Sequence, residues 1–209
     1  MPRKILDLGC GNGSHDEIAE NRLSLIHWLE NNGGQEAVGI DVNPASIEQI
    51  RTRLNNGTCF YVMDGCRMSF PDSTFHLVHE NGVLHHIKRY REAIKEVARV
   101  LRPGGLFLVK ETVSNDRVYH LARVLTQSWR SDPIQSFFTT EDLKEELQPY
   151  FEIEDMQYYW RFALSDMLLE LRLDGPRSLK FNLWMNQIWV TLGIKKQMCC
   201  HCVIKARRI

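Results

Sequence analysis

Residues Ile5 to Gly13 read Ile-Leu-Asp-Leu-Gly-Cys-Gly-Asn-Gly, a short apolar run that ends in three glycines spaced two apart. The apolar run reads as a strand. Glycine in the turn permits tight backbone conformations and lets a ligand lie directly against main-chain atoms. Ser14 and Glu17 follow with the spacing of a capping box, so the turn opens into a helix that runs to about Asn31 and ends at Gly33-Gly34. Strand, glycine turn and capped helix in this order form the first unit of an open α/β sheet that binds a ligand at its carboxyl edge.

The same alternation continues. Ala37–Asp41 reads as a second strand, and Asn43 as the N-cap of a helix with Pro44 at its first position, ending near Leu54. Cys59–Met63 and Thr74–Glu80 read as the third and fourth strands. A helix over Tyr90–Leu101 places Ala93, Ile94, Val97, Val100 and Leu101 on one face, Pro103-Gly104 breaks it, and Leu106–Glu111 makes a fifth strand. Thr139 and Asp142 form another capping box, bracketed by a Phe138–Leu143 staple, for a helix to Leu147. Phe151–Tyr159 and Met198–Lys205 are the last strands, and Lys205, Arg207 and Arg208 read as a solvated tail. Strands alternating with helices point to a parallel sheet covered on both faces.

A length of 209 residues suits one domain over 1–209. Within it, about 161–196 reads as a helical insertion. Leu164, Met167, Leu168 and Leu171 keep helical spacing before Gly175-Pro176, and Phe181, Trp184, Met185, Ile188, Trp189 and Leu192 resume it. These two apolar helices suit a lid over an apolar ligand, a homodimer or membrane-surface contact, or simple packing on the domain. Lys+Arg and Asp+Glu each number 26, and this balance disfavours nucleic acid as a partner. The first residues enter a strand with no apolar signal core, and no run approaches the roughly 20 apolar residues of a membrane span. Six scattered cysteines read as reduced thiols, so a cytoplasmic setting is expected. Cys199-Cys200-His201-Cys202 lies on a predicted strand, where neighbours face opposite sides, so no metal site is expected.

Two carboxylates join the glycine turn at the carboxyl edge. Asp41 closes the second strand, where it can accept hydrogen bonds from vicinal ribose hydroxyls. Asp64-Gly65 follows the third, where a carboxylate can accept from an exocyclic adenine amine.

In sequence order these residues resemble the class I S-adenosylmethionine-dependent methyltransferases, in particular the small-molecule, type 11-like group. Asp7-Leu8-Gly9-Cys10-Gly11-Asn12-Gly13 is similar to the family's first motif, Gly39-Ile40-Asp41 to its second strand, and Met63-Asp64-Gly65 to its adenine-contacting motif. Phe75 to Ile87 resembles its fourth strand and following loop, and Leu101-Arg102-Pro103-Gly104-Gly105-Leu106-Phe107-Leu108-Val109 its fifth-strand entry. The resemblance runs from Lys4 to about Ile153. It implies a Rossmann-like, doubly wound α/β fold with a seven-stranded, mostly parallel sheet and an antiparallel last strand. The implied cofactor is S-adenosylmethionine, with Asp7, Gly9, Cys10 and Gly11 around its methionine portion and Asp41 on the ribose. Asp64 and Gly65 would fix the adenine, lined by Val42 and Cys66, and Glu80 or Asn81 would lie near the sulfonium.

A base is needed only where the acceptor must lose a proton, and His85, His86 and Glu111 are the candidates at the carboxyl edge. Glu80-Asn81-Gly82-Val83 stands where base and amide N-methyltransferases carry an Asn/Asp-Pro-Pro-Tyr tetrad, which disfavours that subclass; the loop Asn81–Ile87 resembles that of the small-molecule enzymes, and the expectation is a small, partly apolar acceptor methylated on oxygen or carbon. Two other classes are open. An inactive cofactor-binding partner subunit would keep the same motifs. A nicotinamide-linked oxidoreductase would share the glycine turn and Asp41, but not Asp64-Gly65 or Arg102-Pro103-Gly104-Gly105.

Overall fold

Alternate residues of a strand face opposite sides of its sheet, so a sheet covered by helices on both faces draws apolar side chains from every strand. The computed structural model describes residues 3–12, 35–53, 59–115, 120–121, 124, 135–159 and 201–209. Within them lie strands β1 (Arg3–Leu8), β2 (Gln35–Asp41), β3 (Cys59–Val62), β4 (Phe75–Asn81), β5 (Leu101–Thr112), β6 (Phe151–Tyr159) and β7 (His201–Arg208). They form one sheet in the order β3-β2-β1-β4-β5-β7-β6. The first five pair in parallel, and β7 runs antiparallel between β5 and β6. This is the seven-stranded arrangement with an antiparallel last strand that the sequence leads one to expect. The strand order reverses between β1 and β4, which opens a crevice beyond their carboxyl ends.

Three described helices are α1 (Pro44–Arg53), α2 (Tyr90–Val100) and α3 (Thr140–Leu147). The start of α1 is as read from the sequence: Asn43 Oδ1 accepts from Ala45 N at 2.9 Å, and Pro44 takes the first helical position. The Thr139–Asp142 capping box of α3 has both reciprocal bonds. Val38 and Ile40 join Leu6, Leu8 and the apolar face of α2 in the main core, along with Leu143 and Leu147 of α3. Gly39 and its register partner Phe60 face the other way, where Phe60 packs with Ile47 and Ile50 of α1. The sheet is therefore covered on both faces.

Side chains also anchor the loops away from the crevice. The Arg99 guanidinium on α2 donates to the carbonyls of Met68 and Phe70, each at 2.8 Å, and to the carboxylates of Glu96 and Asp72. Met68 N completes the ring by donating to Glu96 at 2.8 Å. The hydrogen bond from Arg99 holds the Glu96 carboxyl below its ordinary range despite partial burial.

Two boundaries differ from the sequence reading by more than two residues. β5 begins at Leu101, which pairs with Phe75, and the ladder resumes at Leu106 opposite Leu77. Arg102 to Gly105 therefore forms an irregularity within the strand, turned by Gly104 at φ 74°. β7 runs through Arg208, so Lys205, Arg207 and Arg208 are strand residues rather than a solvated tail. Lys205 and Arg207 both bind Glu154, which stands at a register shift in β6. Arg208 donates to the Leu101 carbonyl. The cause is physical: antiparallel pairing between β5 and β6 satisfies the backbone of these residues, and acidic or carbonyl partners take their charge. The predicted helix over 14–31, the 161–196 insertion, Cys199 and Cys200 lie outside the described residues. Among the described residues no helix is long and apolar enough to cross a membrane.

Candidate active site

Two loops meet over the crevice. Beyond Leu8 the chain turns through Gly9 (φ 70°) and Gly11 (φ 56°), a left-handed backbone that side chains resist. Gly9 N and Cys10 N both donate to Ile40 O, at 2.8 and 3.0 Å, which ties the turn to β2. Space closes the case at Gly9: a Cβ there would sit 2.6 Å from one Val83 methyl and closer still to the other. The glycine turn thus packs directly on the loop that follows β4.

Asp41 sits at the end of β2 as the sequence places it. One oxygen accepts from Gly11 N at 3.0 Å, the other from Asn43 N at 2.8 Å. Each carboxylate oxygen keeps a further lone pair, so Asp41 can brace the turn and still accept from a ligand's hydroxyls. Met63 N donates to Asp41 O at 2.9 Å, which brings the Asp64 loop alongside. Asp64 Oδ1 accepts from Cys66 N at 2.8 Å, and its half-exposed Oδ2 lies 3.3 Å from Arg89 Nη2. Gly65 passes over Leu8 so closely that a Cβ would lie 2.7 Å from it. Val42 is 73% exposed between the two acids.

The cysteines here are not reagents. Burial, with Asp7 and Asp41 nearby, pushes the Cys10 thiol far up, and burial beside Asp64 pushes Cys66 up to about 11. Both stay neutral thiols at pH 7, so what Cys10 offers a ligand is main chain. Among the described residues no group of three His, Cys, Asp or Glu side chains could hold a metal ion.

Asp7 has a partner the sequence reading did not pick out. His79 Nδ1 lies 2.9 Å from Asp7 Oδ1. The two are register partners across β1 and β4, so they share a face. The strand order was the signal needed, since 72 residues separate them in sequence.

The second loop carries the candidate bases. Asn81 and Gly82 lead into a single 3-10 turn over Leu84–His86. Asn81 is exposed at the end of β4, whereas Glu80 before it is 0% exposed and has no surface to offer a ligand. Its carboxyl accepts from Val83 N at 3.1 Å and Lys110 N at 3.0 Å, and the next N–H of the turn, that of Leu84, goes to Glu111. Glu111 is likewise buried, 1% exposed. It accepts from Leu84 N at 2.6 Å and Thr112 N at 3.0 Å, and its Oε2 lies 2.6 Å from His85 Nδ1. Burial pushes Glu80 well above the ordinary carboxyl range, and the Glu111 charge adds to this. Burial would raise Glu111 too, but its contact with the His85 ring, with the Thr112 N–H beside it, outweighs this and holds Glu111 below that range.

His85 is buried with its ring 4.1 Å from that of the half-buried His86. Its carbonyl accepts from Gln135 N and Ser136 N, each at 2.9 Å, so a third segment clamps the turn. A histidine whose Nδ1 is held by a carboxylate has its tautomer and its direction fixed, the arrangement that leaves Nε2 to receive a proton.

Comparison with known proteins gives the same picture. The model of a family described as a methyltransferase domain matches residues 6–109. A sterol 24-C-methyltransferase of Neurospora crassa is 33% identical over 123 residues, covering 56% of this chain and 31% of that enzyme. A malonyl-[acyl-carrier protein] O-methyltransferase of Legionella pneumophila is 25% identical over 186 residues, 85% of this chain and 62% of that one. The chain thus spans less than two thirds of either relative. In fold, the crystal structure of a putative methyltransferase from Bacillus halodurans superposes with a TM-score of 0.68 at 16% identity, over 99% of this chain and 92% of that one.

Proposed function

We propose, from the premise that this chain belongs to the class I S-adenosylmethionine-dependent methyltransferase family, that it methylates an oxygen or carbon of a small, partly apolar acceptor, with His85 as proton acceptor. The observation that carries this reading is the contact between Gly9 and Val83. It sets a ligand turn and a carboxylate-held histidine side by side over one crevice.

The residues present fit the cofactor. Gly9 and Gly11 form a cradle that a Cβ would fill or strain. Asp41 and Asp64 are acceptor groups, matching a ligand whose ribose hydroxyls and adenine amine are donors. Asp41 would take the ribose, Asp64 and Gly65 the adenine with Val42 beside it, and Asp7, Cys10 main chain and Asn81 the methionine end. The bound cofactor supplies an electrophilic methyl group on a sulfonium.

The chain's own task is to align the acceptor atom with that methyl and to exclude water, and orientation of this kind contributes about 7–11 kcal/mol. His85 receives the acceptor's proton on Nε2, and Glu111 stabilises the imidazolium across the 2.6 Å contact with Nδ1. The His86 ring lies 4.1 Å from that of His85, tilted 41° to it, on the same turn. The sterol 24-C-methyltransferase and the malonyl-[acyl-carrier protein] O-methyltransferase support a carbon or oxygen acceptor, and a lysine and N-terminal methyltransferase among the relatives makes amines a necessary arm of the test.

The test is turnover to S-adenosylhomocysteine across a panel of apolar alcohols, enols, sterols and amines. His85→Asn is expected to lose about 10²–10⁴-fold in kcat, the range of a positioned base, with cofactor affinity kept. Turnover in that variant equal to the parent would remove His85 from the reaction. Cofactor binding without turnover on any acceptor would favour a partner subunit instead. Asp41→Ala is expected to weaken cofactor binding by about 1–3 kcal/mol in calorimetry, and unchanged affinity would refute the ribose assignment.

A further inference from the structure

Glu80 is buried, charged by type, and unused by the reaction as described above. Its environment differs from that of Glu111 in one respect that decides its protonation. Successive N–H groups of one turn hold the two carboxyl groups side by side, Val83 N on Glu80 and Leu84 N on Glu111, in a region where neither is exposed to water. Ionised carboxylates only accept, so a bond between them requires one proton, and two anions in contact without solvent cannot both persist. Glu111 receives the N–H groups of Leu84, His85 and Thr112 together with the His85 ring. Glu80 receives two backbone N–H groups, those of Val83 and Lys110. Glu111 has the more N–H partners to stabilise a negative charge, so the proton resides on Glu80. The titratable groups on the turn packed against the pair are His85 and, beside it, His86.

We propose that Glu80 is a positioning residue that donates its carboxylic acid proton to Glu111 and so keeps one negative charge, not two, behind His85. A single anion has two effects on the imidazole. It accepts from Nδ1–H, which fixes the tautomer and leaves Nε2 with a free lone pair. It also avoids the second charge that would draw a proton onto His85 at rest and fill the site meant to receive one. When Nε2 takes the acceptor's proton, Glu80 keeps its own, and the O–H bond it donates restrains Glu111 from taking the proton from Nδ1. No net charge is added beyond the imidazolium. The use made of Nε2 rests on the proposed assignment of His85; the single proton between the carboxyls does not.

The experiment needs no acceptor and uses the full chain without ligand. Infrared spectroscopy at pH 7 is expected to show a carboxylic acid C=O band that Glu80→Gln removes. Nitrogen NMR of histidine-labelled protein is expected to show His85 as one tautomer, with hydrogen on Nδ1. Glu80→Gln, whose amide can still donate to Glu111, should keep the Nδ1 signal of the parent, and Glu80→Leu, which removes the donor, should shift the Nδ1 proton toward Glu111 and move that signal. Wild-type protein lacking a protonated carboxyl band at pH 7 would overturn the proposal without any variant. An Nδ1 signal in Glu80→Leu identical to the parent's would do the same. If instead the band and the tautomer are as expected while His85→Asn turns over like the parent, the base assignment fails and the carboxyl pair stands.

Discussion

The packing of the glycine turn on the base loop gives a quantitative expectation for Gly9→Ala. The native φ of 70° costs an L-residue about 1–2 kcal/mol relative to glycine. The new methyl group would also lie 2.6 Å or less from the two Val83 methyls, and overpacking of this kind costs about 1–3 kcal/mol. The sum is about 2–5 kcal/mol, which in a domain of this size lowers Tm by about 4–20 °C. Urea unfolding measures it directly. The two contributions separate in a double-mutant cycle, because Val83→Ala removes the methyls but leaves the backbone unchanged. The pair should therefore be more stable than the sum of the single variants predicts by about 1–3 kcal/mol, with the conformational cost remaining. Gly9→Ala within about 0.5 kcal/mol of the parent would refute the reasoning, as would strict additivity with Val83→Ala.

Two further outcomes are accessible to the same assay. Arg208→Ala should cost about 1.5–3 kcal/mol, because its guanidinium binds the Leu101 carbonyl in the strand ladder; a loss within about 0.5 kcal/mol would return this residue to a solvated tail. Glu80 gives a pH dependence whose sign follows from its raised folded value. The folded state keeps a proton that the unfolded chain releases, so the contribution is full below the unfolded carboxyl range, about pH 4.3, and is lost as pH rises through the folded value. Stability measured from pH 5 to pH 8 should therefore fall in the parent relative to Glu80→Gln, and a constant difference between the two would exclude a protonated Glu80.

What the sequence made legible was local. Asn43 before Pro44, Thr139 before Asp142, and glycine after an apolar run each specify a conformation within a few residues, and the structure has each of them. Asp41 was legible because a strand's last residue must lie at the carboxyl edge. The relations among candidate residues were not. Glu80 and Glu111 looked like two separate acids near a rim, and only the parallel pairing of β4 with β5 turns both inward behind one histidine. Asp7 and His79 needed the same knowledge of which strands are neighbours. The basic end of β7 looked like a tail because its partners lie on β6 and at the start of β5, remote in sequence. Periodicity reports which face a residue takes, and says nothing of what waits on that face.

The guanidinium of Arg99 holds the segment after β3 by its far end, while Asp64 stands at the near end. A lysine at that position has one ammonium where the planar fork reaches two carbonyls and two acids, so Arg99→Lys would slacken the whole span. The slack would surface where Asp64 presents its oxygen. On the proposed assignment of Asp64 to the adenine amine, a side chain on the back of the molecule would then govern how sharply the protein tells adenosine from inosine, without ever meeting either.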